Sequence, residues 1–215
     1  MRADEIDALA EGARRPSEEE LDALVTDGYV VVPAVLSATQ VELLRAEFER
    51  LVAADPQAEV HELGNRRTNA SRDNEVFAVC WRHRVVLDAA AHLLGQRFEV
   101  GHVDLRDPVP PHGVQKHHPD HGPEPCPGLT ATWFLDAFTI DNGSTRVLPG
   151  SHVGPVPDVR RSDHHPVDGE VVAVGPAGSV LLRDARLYHA AGRNLSAGPR
   201  RSALVFYQHH IPGAD

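Results

Sequence analysis

The chain has little of what marks several protein classes. Aromatic residues make up only 5% of its 215 positions, cysteine occurs twice and methionine once. The two thiols, Cys80 and Cys126, lack CxxC spacing, which argues against a zinc ribbon or disulfide scaffold and leaves both as buried or incidental residues. No apolar run approaches the roughly 18 residues a membrane helix needs. The start, Met1-Arg2-Ala3-Asp4-Glu5, lacks the basic-then-apolar layout of a signal peptide, so a cytoplasmic location is expected. A basic excess is missing too: the formal net charge is −10 with histidines neutral. That disfavours nucleic acid, whose phosphates call for a concentrated cationic surface, and leans toward a neutral or cationic small molecule. With no internal repeat and no low-complexity linker, the length suits one domain, acting as a monomer or homodimer without a membrane partner.

What is present is a change of grammar near Gly95. Ser17 and Glu20 form a capping-box pattern ahead of an apolar stripe at Leu21, Leu24 and Val25, and Gly28 closes that helix. Ser37 caps a second helix with Val41, Leu44, Phe48, Leu51 and Val52 at helical spacing, and a third runs from Arg84 to Leu94. Tyr29 to Val32 is a short β-branched run between the first two. Beyond Gly95 come short β-rich pieces divided by Gly, Pro and Asp: residues 98–106, 114–118, 129–138, 145–148, 170–174, 179–183 and 202–211. Helices first and many short strands afterwards predict a mainly β fold, a jelly roll whose helices pack on one sheet. The expected division is a helical buttress over about 1–95 and a jelly-roll core over about 96–211, in one domain.

Fourteen histidines are unusual, and most are expected to be surface residues or satisfied imidazoles. His118 and Asp120 stand apart because side chains two residues apart on an extended segment share a face. Adding His189 gives two imidazoles and one carboxylate, the facial set that leaves coordination positions open in non-haem Fe(II) oxygenases. His117 and His121 would point the other way, toward substrate, the surroundings of the ligands or solvent. Arg200 lies eleven residues past His189, far enough to follow a turn and return on a neighbouring strand. Its planar guanidinium suits bidentate capture of a dicarboxylate co-substrate.

These residues sit in an ordered series of motifs. Leu24 and Gly28 to Pro33, Gln115-His118-Asp120, the run Asp141 to His152, and His189-Gly192-Asn194-Ser196-Arg200 together resemble the phytanoyl-CoA dioxygenase-like Fe(II)/2-oxoglutarate oxygenases over nearly the whole chain. The resemblance implies that His118, Asp120 and His189 hold Fe(II) and that Arg200 pairs with the distal carboxylate of 2-oxoglutarate. It also implies co-substrate contacts from Gln115 and Thr130, with Thr132 on the face of Thr130. Asn194, Ser196 and His152 are expected to be structural. The implied reaction uses O2, releases succinate and CO2, and oxidises a C–H bond of a small molecule. Because Asp120 is a carboxylate, the halogenating variant of this chemistry is disfavoured.

His102 and Asp104 alternate on one strand and are candidate substrate contacts, provided no bulge shifts the register. The Arg-, Ala-, Pro- and His-rich composition suggests a GC-rich bacterial genome, where such enzymes tailor natural products by hydroxylation. Desaturation, epimerisation or oxidative cyclisation would use the same iron centre. A non-catalytic metal-containing jelly-roll binding protein is the alternative from another class, and a histidine-rich cupin-type metal enzyme is a third.

Overall fold

Two serines open the first two helices as their spacing predicts. The computed structural model describes residues 12, 14–58, 65–95, 97–111, 113–120, 128–155, 159 and 166–209. In α1 (Glu18–Thr26) the Ser17 hydroxyl accepts from Glu20 N at 3.2 Å while the Glu20 carboxylate accepts from Ser17 N at 2.8 Å. Ser37 and Gln40 repeat the exchange at α2 (Ala38–Ala54). Each box satisfies backbone donors that the first helical turn leaves unpaired. Between them Gly28, at φ +81°, turns the chain into β1 (Tyr29–Val32), and a Cβ there would collide with the His152 ring. His152 donates from Nε2 to Val25 O at 3.1 Å, so this histidine is a structural tie.

The remaining strands of the larger sheet are β2 (Asn65–Ala70), β3 (Phe98–Pro108), β4 (Gly128–Phe134), β7 (Val180–Asp184) and β9 (Ser202–His209). They run antiparallel in the order β1-β7-β4-β9-β3-β2. A second sheet has the order β6-β5-β8, from Val171–Val172, Thr145–Val147 and His189–Ala191. Strand alternation sorts the larger sheet into two faces. Ala131, Trp133, Val180, Leu182, Ala203 and Val205 pack with Leu24, Leu44, Phe48, Val86 and Leu87 in one core. Thr132, Arg183, Ser202, Leu204 and Arg106 turn the other way, toward Thr145, His189 and Ala191 of the smaller sheet. This is the jelly-roll arrangement with helices on one sheet. No helix among the described residues is long and apolar enough to cross a membrane.

Three expectations need adjustment. Residue 95 does not divide the architecture, because β1 and β2 precede it and form both edges of the larger sheet. The second of these, Asn65–Ala70, has no large apolar side chain to announce a strand, and Arg66 and Arg67 hold it through ion pairs to Asp107 and Asp104. Residues 114–118 do not form a regular strand; they are extended and meet β8 through one isolated bridge, His118 to His189. A short helix, α3 (Ala78–Arg82), precedes α4 (Arg84–Leu94) and was not foreseen. Cys80, on α3, is buried as expected, and burial drives its thiol pKa far up. Cys126, like His121, lies outside the described residues.

His83 caps α4: its Nδ1 accepts from Val85 N at 3.2 Å, and its ring stands edge-on to Trp133 at 5.7 Å. Burial, and then the charge of Arg14, push its pKa down to about 4. The folded state therefore keeps His83 neutral where the unfolded chain, titrating near 6.5, takes up a proton. Stability from this group is full above about pH 6.5 and is lost as pH falls toward 4, at a slope of at most about 1.4 kcal/mol per pH unit. His83→Asn, which keeps a capping side chain without the titration, should flatten urea-unfolding stability between pH 7 and 4.5 relative to wild type.

Candidate metal and co-substrate site

The site begins with a reciprocal backbone pair. His118 N donates to His189 O at 2.9 Å and His189 N donates back to His118 O at 3.0 Å. Two residues on, Asp120 N donates to Ala185 O at 2.8 Å, anchoring the carboxylate beside the β7–β8 connection. These bonds bring the donor atoms of His118, Asp120 and His189 within 4.8 Å of one another. The imidazoles of His118 and His189 lie 4.6 Å apart, and His189 Nε2 is 3.5 Å from Asp120 Oδ1. Donors bound to one first-row ion at about 2.1 Å in neighbouring positions sit roughly 3 Å apart, so small side-chain adjustments close this set on one metal.

The ring orientations favour that role. His118 Nδ1 donates to Lys116 O at 2.7 Å and His189 Nδ1 to Leu187 O at 2.9 Å, a shorter contact than the 3.1 Å from the same nitrogen to Arg183 Nη1, so the carbonyl takes the proton. With Nδ1 protonated, each Nε2 keeps its lone pair for a metal. His189 is buried, and burial followed by the nearby Arg183 charge lowers its pKa well below the usual value, which keeps it neutral. His117 faces away, with Nε2 3.2 Å from Glu170 Oε2, so the alternation argument separates it from its neighbour.

Asp120 is held asymmetrically. Its Oδ2 takes the Arg183 guanidinium at 2.7 Å and the Thr130 hydroxyl at 2.9 Å, which leaves Oδ1 on the side of His189. Burial alone would raise this carboxyl's pKa; the charge of Arg183 and the hydrogen bonds from Arg183 and Thr130 reverse that, holding it below the ordinary carboxylate range. Arg183 is 3% exposed at the end of β7, opposite Thr130 of β4. Sequence reasoning passed over it, although a lone cation closing the apolar run Val180-Leu181-Leu182 was the available signal.

Beside this centre lies a cleft between the two sheets, lined by His189, Arg183, Thr132, Gln115 and Arg200 among others. Arg200 is 5% exposed, stacked 4.4 Å over the Phe138 ring, and its side chain makes no hydrogen bond or ion pair with a described residue. Burial lowers its pKa to about 10, so it remains a cation at neutral pH. A buried guanidinium with an unpartnered Nε fits an anion such as the carboxylate of a 2-oxo acid. The two histidines, turned to offer Nε2, likewise fit a divalent ion.

The other predicted residues divide. Thr132 lines the cleft, whereas Thr130 is engaged with Asp120. Gln115 lines it while its Oε1 accepts from Ala191 N at 3.2 Å. His102 does not reach it: the pairing of β3 with β9 slips between Val100 and Val103, and His102 sits exposed in that bulge against Phe206. Asp104, on the inward face, is fully buried beneath Arg106 and Arg67, so it can act on a ligand only through them. Asn194 is structural as expected, donating to Pro108 O and Gly198 O, and Ser196 Oγ donates to Asn194 Oδ1.

The family model of phytanoyl-CoA dioxygenase (PhyH) matches residues 24–202. The chain belongs to this family. It is therefore a dioxygenase of the Fe(II)- and 2-oxoglutarate-dependent kind. A probable alpha-ketoglutarate-dependent hypophosphite dioxygenase of Stutzerimonas stutzeri is 25% identical over 213 residues, covering 84% of this chain and 74% of the relative. Among solved structures, the non-heme alpha ketoglutarate dependent carbocyclase SnoK from nogalamycin biosynthesis superposes with a TM-score of 0.76 at 23% identity, covering 95% of this chain and 91% of that one. HygX from Streptomyces hygroscopicus, with nickel, 2-oxoglutarate and hygromycin B bound, superposes at 0.75 with 20% identity, covering 91% and 88%. At these identities the two structures establish the shared fold.

The Thr130 hydroxyl provides a direct check of the carboxylate's environment. Thr130→Val preserves shape and removes one of the two bonds on Asp120 Oδ2. Loss of a partner that orients a metal ligand typically costs about 10- to 100-fold in metal affinity, and calorimetric titration with Ni(II) should show a loss in that range. An unchanged affinity would mean that the hydroxyl does not hold the carboxylate.

Proposed function

We propose that the chain uses iron, 2-oxoglutarate and dioxygen to oxidise a C–H bond of a small molecule in natural-product tailoring, with hydroxylation as the outcome. The observation that carries this reading is the buried Arg200, with Nε unpaired among the described residues, in a cleft that His189 of the two-histidine, one-carboxylate cluster also lines. A binding protein with a structural metal has no use for a buried cation at that place. In this reading His118, Asp120 and His189 are the metal ligands, Arg200 holds the distal carboxylate of 2-oxoglutarate, and Thr132 and Gln115 supply polar contacts along it. Bound together, the metal, the 2-oxo acid and dioxygen supply the oxidising power, with succinate and CO2 released.

The protein's own contribution is geometry and charge. Asp120 Oδ2 is occupied by Arg183 and Thr130, so the carboxylate presents Oδ1 alone and leaves room on the metal for other ligands. The Nδ1 bonds of both histidines fix their rings before a metal arrives. Leu204 and Ala191 give the cleft an apolar part that limits water. The fold shared with a carbocyclase supports a second reading, oxidative cyclisation at the same centre. The leaning toward a neutral or cationic substrate, drawn from the whole-chain charge, finds no counterpart in the cleft, where the charged lining is Arg106, Arg183 and Arg200.

Two measurements test the reading. Succinate should form from 2-oxoglutarate only with Fe(II) present, and its complete absence across a panel of small molecules would favour the binding-protein alternative. Arg200→Ala should weaken 2-oxoglutarate binding by roughly ten- to a hundredfold, the value of a charge-assisted bidentate pair, with Ni(II) affinity little changed. Equal losses of both would indicate a disturbed fold. Arg201, although adjacent, is not a silent control: it grips Asp136 at 2.9 Å from both Nε and Nη2 and reaches Glu49 of α2. Arg201→Ala should lower the melting temperature and leave co-substrate affinity nearly intact.

A further inference from the structure

We propose that the cleft receives a substrate carrying a small oxyanion group, a carboxylate or a phosphonate, and that Arg106 binds it. This rests on the assignment of Arg200 to 2-oxoglutarate.

Arg106 and Asp104 occupy inward positions of β3, two residues apart, past the bulge that displaces His102. Asp104 is fully buried and accepts Arg106 Nε at 2.8 Å and Nη2 at 2.6 Å on Oδ2, and Arg67 Nε at 3.0 Å on Oδ1. One carboxylate thus faces two guanidinium groups, which fixes the Arg106 fork and leaves a positive charge over. The bonds to Asp104 use Nε and Nη2, and the side chain, 26% exposed, lines the cleft.

The charge inventory of the site points the same way. Among the described residues, the charged side chains that line the cleft are Arg106, Arg183 and Arg200, with Asp104 paired to the first and Asp120 to the second. Asp107 and Asp136 have cations of their own in Arg66 and Arg201, and Asp107 Oδ1 also takes the backbone N–H of Arg200 at 2.9 Å. A divalent metal and a dianionic co-substrate neutralise each other and do not alter that excess. Both Arg183 and Arg200 are buried with an unpartnered Nε, so the excess lies where water compensates poorly. Among the described residues lining the cleft the charged ones are all arginines, the carboxylates of Asp104 and Asp120 being held behind Arg106 and Arg183, so a cationic substrate would meet like charge first. Against a chain of net charge −10, this cleft is a local inversion of sign that would guide an anion inward.

The experiment uses the full chain loaded with Ni(II), which does not turn over, and saturated with 2-oxoglutarate so that Arg200 is occupied. Propionate, methylphosphonate and methylammonium are titrated by calorimetry and thermal shift. Saturable binding of propionate or methylphosphonate, with none for methylammonium, is expected, and the stronger of the two identifies the oxyanion. Arg106→Gln should weaken that binding at least about tenfold while 2-oxoglutarate affinity falls far less. If Arg106→Gln does not fold, Arg106→Lys keeps the charge beside Asp104 and removes the planar fork, and should weaken binding by a smaller factor. Absence of saturable anion binding to wild type, equal binding of methylammonium, or anion binding indifferent to the variant overturns the proposal. Failure of 2-oxoglutarate to bind at the outset would instead overturn the oxygenase reading beneath it.

Discussion

A reciprocal pair of hydrogen bonds between the backbones of His118 and His189 joins two segments far apart in sequence and sets both ligand rings on one side of the join. The pair is an isolated bridge, with no continuous strand on the His118 side to share its load. Its register matters more than its strength. A slip of one residue on either side would turn an imidazole from the cleft toward the opposite face, because extended side chains alternate. Gln115 N to Ala191 O and Asp120 N to Ala185 O flank the bridge and resist such a slip.

Around that join, charge is arranged in layers. Asp120 is balanced by Arg183 before any metal is present, so the anionic ligand is tolerated in a buried position. Next to the cleft, Arg201 fastens to Asp136 and Glu49, and Arg200 N donates to Asp107 Oδ1 at 2.9 Å. Two adjacent arginines therefore have opposite duties. The first has its backbone tied and its side chain free; the second has its side chain tied.

Much of this was legible in the sequence because it depends on local rules. The capping boxes at Ser17 and Ser37, the helix ending at Leu94, most strands and the shared side of His118 and Asp120 follow from short-range periodicity, while His189 joins them through the family's ordered motifs. What could not be read depends on partners distant in sequence. Asn65–Ala70 becomes a strand because β3 offers a free edge and acidic partners, not because its residues favour one. The bulge near His102 moved that residue out of reach, while Asp104 kept its inward position and lost its independence to Arg106. Thr130 and Thr132 share a face as alternation requires, yet alternation does not say which neighbour a hydroxyl will meet, and Thr130 meets Asp120.

The short helix α3 has an implication for how the site is held. Five residues cannot sustain a helix alone. Its carbonyls at Cys80 and Trp81 are instead taken by the larger sheet, through Trp133 Nε1 at 2.7 Å and the Tyr207 hydroxyl at 3.1 Å. Trp133 immediately follows Thr132 on β4, so consecutive residues of one strand bind the helical layer and line the cleft. The helices thus act as a rigid backing plate: disturbance of the packing around Cys80 would be transmitted through one strand's thickness to the carboxylate that Thr130 holds.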